Sequence, residues 1–149
     1  MRKSSLSLLI LFFAIPTISF GQIDSLKLTD GEIPSGYQSS KELLCVTPHA
    51  SSFYDQTDIY GSLIGFVTRK EFQSFGKKGD KGTILYFEFE KEFKAQAFLN
   101  GLLWGSASVP TKSEPDEYYA KGKILVIWSF NLKSELKAIS KAKVMRLLP

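Results

Sequence analysis

The run "GKKGDKGTILYFEFE", Gly76 to Glu90, constrains the fold more than any other part of the chain. Its three glycines tolerate positive φ, and Asp80 favours a turn. The residues that follow alternate. Leu85, Phe87 and Phe89 fall on one face of an extended chain, and Tyr86, Glu88 and Glu90 on the other. A period of two predicts a strand. The stretch before the turn, "SLIGFVTRKEF" from Ser62 to Phe72, is rich in β-formers and predicts a second strand, with a glycine at a bulge or close approach. Strand, glycine turn and strand together predict an antiparallel hairpin.

The period then changes. In "EFKAQAFLNGLLWG", Ala95, Phe98, Leu99, Leu102 and Leu103 recur at helical spacing and form one apolar face. Gly105 is placed to cap the helix C-terminus, and Gly101 is expected to let the helix pack closely on a sheet. A long polar stretch with two prolines follows, "SASVPTKSEPDEYYAKGK". "ILVIWSF", Ile124 to Phe130, is apolar at every position but one, which predicts a central strand covered on both sides. Asn131 is the expected cap of a last helix with the stripe Leu132, Leu136 and Ile139. Lys143 interrupts that stripe, so the helix is expected to end near Lys141, with 143–148 open to a strand or a further helical turn.

Upstream of the hairpin, residues 22–42 read as irregular, with turn punctuation in "TDGEIPSGYQSS". "LLCVT", Leu43 to Thr47, reads as a short strand stopped by Pro48. There is no internal repeat. The order of elements predicts an α+β domain: an antiparallel sheet of about four or five strands with two helices packed on one face.

The first residues address location. Arg2 and Lys3, the apolar run Leu8 to Ile15, Pro16, and small residues at Ser19 and Gly21 follow the order of a secretory signal peptide. The expectation is a signal peptide over residues 1–21, cleaved after Gly21, and one secreted domain over 22–149. The apolar run is far shorter than the roughly 20 residues of a spanning helix, so no stable membrane anchor is expected after cleavage. The mature chain has 128 of the 149 residues and loses two of the four net positive charges. A nearly neutral domain is a poor nucleic-acid binder. One cysteine makes no internal disulfide, so the fold must rest on its core, for which 13% aromatic content supplies large apolar areas.

Cys45 and His49 stand four residues apart and raise the question of a thiol or metal site, with Asp55 and Asp58 as further ligands. A structural zinc site takes four ligands, mostly Cys and His, and "LLCV" gives Cys45 apolar neighbours, where cysteine behaves as a small hydrophobe. The expected assignment is therefore core for Cys45 and loop for His49, with no catalytic residue, metal or cofactor. The basic cluster Arg69, Lys70, Lys77, Lys78 and Lys81 reads as a solvated hairpin tip. Glu88, Glu90 and Glu92 read as the wet face of a sheet, although paired carboxylates can run glycoside hydrolysis. Glu114, Asp116 and Glu117 lack the spacing of a calcium loop.

The 106–121 loop is the strongest functional expectation. Structureless loops beyond about 12–15 residues are uncommon and often functional. Trp104, Tyr118 and Tyr119 flank it and are the expected ligand- or partner-binding residues. The sequence thus points to a secreted or periplasmic, non-enzymatic binding domain whose partner is a protein or glycan of the envelope or beyond. The competing readings are a small hydrolase acting on envelope or extracellular material and a purely structural envelope component.

Overall fold

The computed structural model describes residues 21–149, and its architecture grows outward from the expected hairpin. In chain order the helices and strands are α1 (Gln22–Leu26), β1 (Gln38–Ser40), α2 (Pro48–Asp55), α3 (Gly61–Ile64), β2 (Val67–Lys77), β3 (Asp80–Phe89), α4 (Gln96–Trp104), β4 (Glu117–Lys121), β5 (Ile124–Ser129) and α5 (Glu135–Leu147). The five strands form one antiparallel sheet in the order β1-β2-β3-β5-β4. The protein is therefore a mixed α+β fold. The expected leader, except Gly21, lies outside the described residues.

Lys78 and Gly79 close the hairpin, and Gly79 takes φ 85°, which only glycine adopts without strain. Gly82 serves a different purpose. A Cβ there would stand 2.2 Å from the carbonyl oxygen of Ser129 and 2.5 Å from the Phe130 ring. Its lack of a side chain is what lets the end of β5 cross so close to β3.

Alternation divides the core in two. Leu85, Phe87 and Phe89 of β3, with Leu125 and Ile127 of β5, face α2, α3 and α4. Ile84 and Tyr86, with Ile124, Val126 and Trp128, face α1 and α5. All six residues of β5 are buried, as its two-sided apolar pattern requires. The two long helices consequently sit on opposite faces of the sheet instead of sharing one. The second face of β3 is not wet either: Tyr86 is fully buried, and its hydroxyl donates to Gln73 Oε1 at 2.8 Å.

Three local readings change for physical reasons. Residues 43–47 form no strand and bend at Val46 and Thr47, and two of their amides are taken by side chains: Leu44 N–H donates to Thr83 Oγ1 at 2.7 Å and Val46 N–H to Ser129 Oγ at 2.9 Å. Pro48 begins α2 instead of ending a strand. It occupies the first turn, where a missing N–H costs nothing, and Thr47 Oγ1 caps the helix by accepting from Ala50 N–H. Residues 22–26 are helical and supply Ile23 and Leu26 to the core.

The last helix runs to Leu147. Its cap is Ser134, not Asn131, and its buried face is Leu136, Lys137, Ser140 and Val144. Ser140 earns its place by accepting the indole N–H of Trp128 at 2.8 Å. Lys143 does not stop the helix, because its ammonium reaches Glu32 Oε1 at 2.6 Å and the Lys27 carbonyl at 2.7 Å. That bond draws the Glu32 carboxyl down to about 2.

Candidate binding face

The face that covers Leu85, Phe87 and Phe89 carries an apolar surface that begins in the α2–α3 connection. From Phe53 to Phe66 the chain has no cation. It turns through Gln56–Gly61, forms the single turn α3, and ends it on Gly65 at φ 97°. That positive-φ residue ends α3 and separates its neighbours. Ile64 goes into the core, while Phe66 goes out. Ile59, Leu63 and Phe66 are left 71%, 61% and 72% exposed. Single exposed apolar residues are ordinary, but three large ones in eight residues form a patch.

A recess of about 280 Å³ opens beside them, lined by Ile64, Gly65, Phe66 and the chain from Phe89 to Glu92. The Glu90 amide donates to the Phe66 carbonyl at 2.9 Å, which ties the recess rim to the patch. Tyr60 links this region to α4: its ring stacks on Phe53 at 5.8 Å and tilts against Phe98 at 5.6 Å. Phe98 and Leu102 are half-buried along the same face.

Trp104 and Tyr118 continue it at the far end of α4. Their rings stack at 5.6 Å, the indole N–H donates to the Asp116 carbonyl at 2.8 Å, and the Tyr118 hydroxyl bonds Asn100 Oδ1 at 2.5 Å. Tyr119 points to the opposite face, where its hydroxyl donates to the Leu148 carbonyl. The structure thus brings Trp104 and Tyr118 together and parts them from Tyr119. It also shortens the expected 106–121 loop, since Glu117 onward belongs to β4.

That loop is anchored by its acids. Asp116 is fully buried and its Oδ2 accepts from the Thr47 hydroxyl, while Oδ1 is buried and unpartnered among the described residues. Burial raises its pKa, opposed by the hydrogen bond from Thr47. Glu114 Oε2 lies 3.6 Å from His49 Nε2, beyond hydrogen-bond range. Half-buried Cys45 sits among the hydroxyls of Ser51, Thr83 and Ser129, and burial pushes its thiol up, away from the reactive thiolate. No group of three or more His, Cys, Asp or Glu placed to hold a metal occurs among the described residues.

The basic cluster read as a hairpin tip is divided. Arg69 and Lys70 lie near the opposite end of β2. Arg69 pairs with Asp24 at 2.8 Å and Glu71 at 2.9 Å, and Lys70 donates to the Tyr54 carbonyl. Lys77 at the tip lies over the Tyr37 ring and pairs with Glu135. Glu90 and Glu92 are exposed at the recess rim, whereas Glu88 is half-buried.

Sequence reasoning missed Ile59, Leu63 and Phe66. The available signal was "GSLIGF": two glycines bracket three residues, too short a span for a strand, with Phe66 immediately beyond and Ile59 two residues before.

Fold and surface together define an α+β domain whose α2–α4 layer carries an apolar, aromatic surface. No family model matches the chain, and neither a curated protein nor a solved structure matches it.

Proposed function

We propose that this protein is an exported, non-enzymatic binding domain that takes a protein partner of the envelope or extracellular space on the α2–α3–α4 face. The observation that carries the reading is the exposure of Ile59, Leu63 and Phe66 beside a recess. Leaving three large apolar side chains in water forgoes burial worth about 1.5–3 kcal/mol each, a cost that makes sense where a partner covers them. Trp104 and Tyr118 extend the face and supply rigid contact area at its other end. The hydrolase reading draws on the carboxylates Glu88, Glu90 and Glu92 and on Cys45 with His49. Glu90 and Glu92 are exposed to water, and burial raises the Cys45 thiol, so neither set supports it as well as the apolar surface supports binding.

The test is the double variant Leu63→Ser/Phe66→Ser. Its unfolding free energy should stay within about 0.5 kcal/mol of wild type, while recovery of an envelope or extracellular partner by cross-linking is lost. A large loss of stability with cross-linking unchanged would show that these residues serve the fold alone. Export is tested on the same preparations: protein from outside the cytoplasm should have the intact mass of a chain beginning at Gln22, and a full-length chain retained in the cytoplasm would contradict it.

A further inference from the structure

The cleavage proposed above, after Gly21, makes the first residue of α1, Gln22, the amino terminus. That terminus is part of the fold and not a loose tail. Gln22 is exposed, but the next residue, Ile23, is fully buried, as is Leu26 one turn on. The chain here also lies against β2: a Cβ on Gly21 would stand 2.2 Å from Nη1 of Arg69. The Gln22 carbonyl accepts from Ser25 Oγ at 2.8 Å, whereas its backbone nitrogen and its carboxamide make no hydrogen bond among the described residues. The two groups that could react with each other are thus both free and both in water.

From this we infer that Gln22 is a modification site: in the exported protein its amine closes on its own side chain to give a pyroglutamyl terminus. The inference rests on the export reading above, because only cleavage after Gly21 frees that nitrogen. The step balances within the residue. The amine nitrogen attacks the carboxamide carbon, Cδ. The N–Cδ bond forms, the Cδ–Nε2 bond breaks, and Nε2 leaves as ammonia with a proton from the amine. No oxidant, reductant or co-reactant is consumed. A lactam also suits the position, since the first residue of a helix has no use for its own N–H within the helix, and the ring of proline is accepted there for the same reason. The carbonyl that Ser25 uses is kept. No ion pair is lost with the ammonium, because Asp24, the carboxylate beside the terminus, is already held by Nη1 and Nη2 of Arg69 at 3.2 and 2.8 Å. The fold shows what such a cap protects. An aminopeptidase that removed Gln22 would next meet Ile23, whose side chain belongs to the core under α1 and α5. A lactam offers that enzyme no amine.

Intact mass of wild type freshly recovered from outside the cytoplasm tests this and narrows the mass expected above. The result expected is a chain from Gln22 less one ammonia, resistant to a broad-specificity aminopeptidase. Gln22→Asn keeps an amide but would have to close a smaller, strained ring. It should be exported and cleaved alike, retain its full mass, and lose its first residue to the aminopeptidase in the time that leaves wild type intact. A wild-type chain from Gln22 that retains its ammonia, or one trimmed as fast as the variant, would overturn the inference and leave export standing. A full-length chain retained in the cytoplasm would overturn both.

Discussion

Asp116 illustrates what a single side chain decides here. It is fully buried, its Oδ2 holds Thr47, and its Oδ1 has no partner among the described residues. Burial raises its pKa, so the fold favours the neutral acid. A group with a raised folded value contributes stability that is complete below its unfolded value, about 3.9. That contribution is lost as pH rises through the folded value. Asp116→Asn keeps a neutral acceptor for Thr47 and removes the charge. It should be at least as stable as wild type near neutral pH and should flatten this part of the pH dependence, measured by urea unfolding between about pH 4 and pH 8. A loss above about 2 kcal/mol near neutral pH would mean that the ionised carboxylate is required. At this scale the sequence was legible only in part. Apolar flanks predict core for Cys45, yet it is half-buried among the hydroxyls of Ser51, Thr83 and Ser129, and His49, expected in a loop, lies in α2 because Pro48 starts that helix. The Thr47–Asp116 bond joins residues 69 apart, and no local pattern reveals such a contact.

Elements were legible in proportion to their own periodicity. β3, β5 and α4 each carry a clean period and form nearly where they are expected. The first hairpin strand, expected over Ser62–Phe72 from composition alone, forms at Val67–Lys77, because Gly61–Ile64 turn into α3 and the bulge falls at Val67–Arg69 instead of at a glycine. Residues 43–47 have β-prone composition, yet the hydroxyls of Thr83 and Ser129 take two of their amides and the chain bends at Val46 and Thr47. The end of α5 was obscured because Lys143 looks like a break in an apolar stripe. Its partner, Glu32, comes from the other end of the chain. The glycines divide in the same way. Gly101 was expected to permit close packing, but a Cβ there meets nothing within 4 Å, and the residue is exposed in mid-helix. Gly101→Ala should therefore raise stability by about 0.5–1 kcal/mol. Gly82→Ala should cost about 1–3 kcal/mol or more, because the obstacle is the Ser129 backbone, which cannot rotate away. Chemical denaturation of the two variants checks both signs, and equal effects would contradict the packing described for β3 and β5.

The whole molecule is a five-stranded antiparallel sheet between two helical layers that do different work. The α1–α5 layer closes the core with ion pairs, Lys143 to Glu32 and Lys137 to Glu117 at 2.7 Å. Each layer also leaves apolar side chains in water, Met145 and Leu147 on α5 at 46% and 43% and, further out, Ile59, Leu63 and Phe66 beside α2 and α3 at 71%, 61% and 72%. Which layer would carry a surface was not readable from the chain, because it depends on how α3 ends at Gly65 and on helices taking opposite faces. The central claim is that the α2–α4 layer is where a partner sits in the exported protein. The most direct measurement places a photo-activated cross-linking residue at Leu63 in intact cells, with Glu42, an exposed position outside the patch, as control. The account predicts a discrete adduct from Leu63, absent from Glu42, whose partner is a protein of the envelope or extracellular space. Equal labelling from both positions, or adducts only with cytoplasmic proteins, would contradict it.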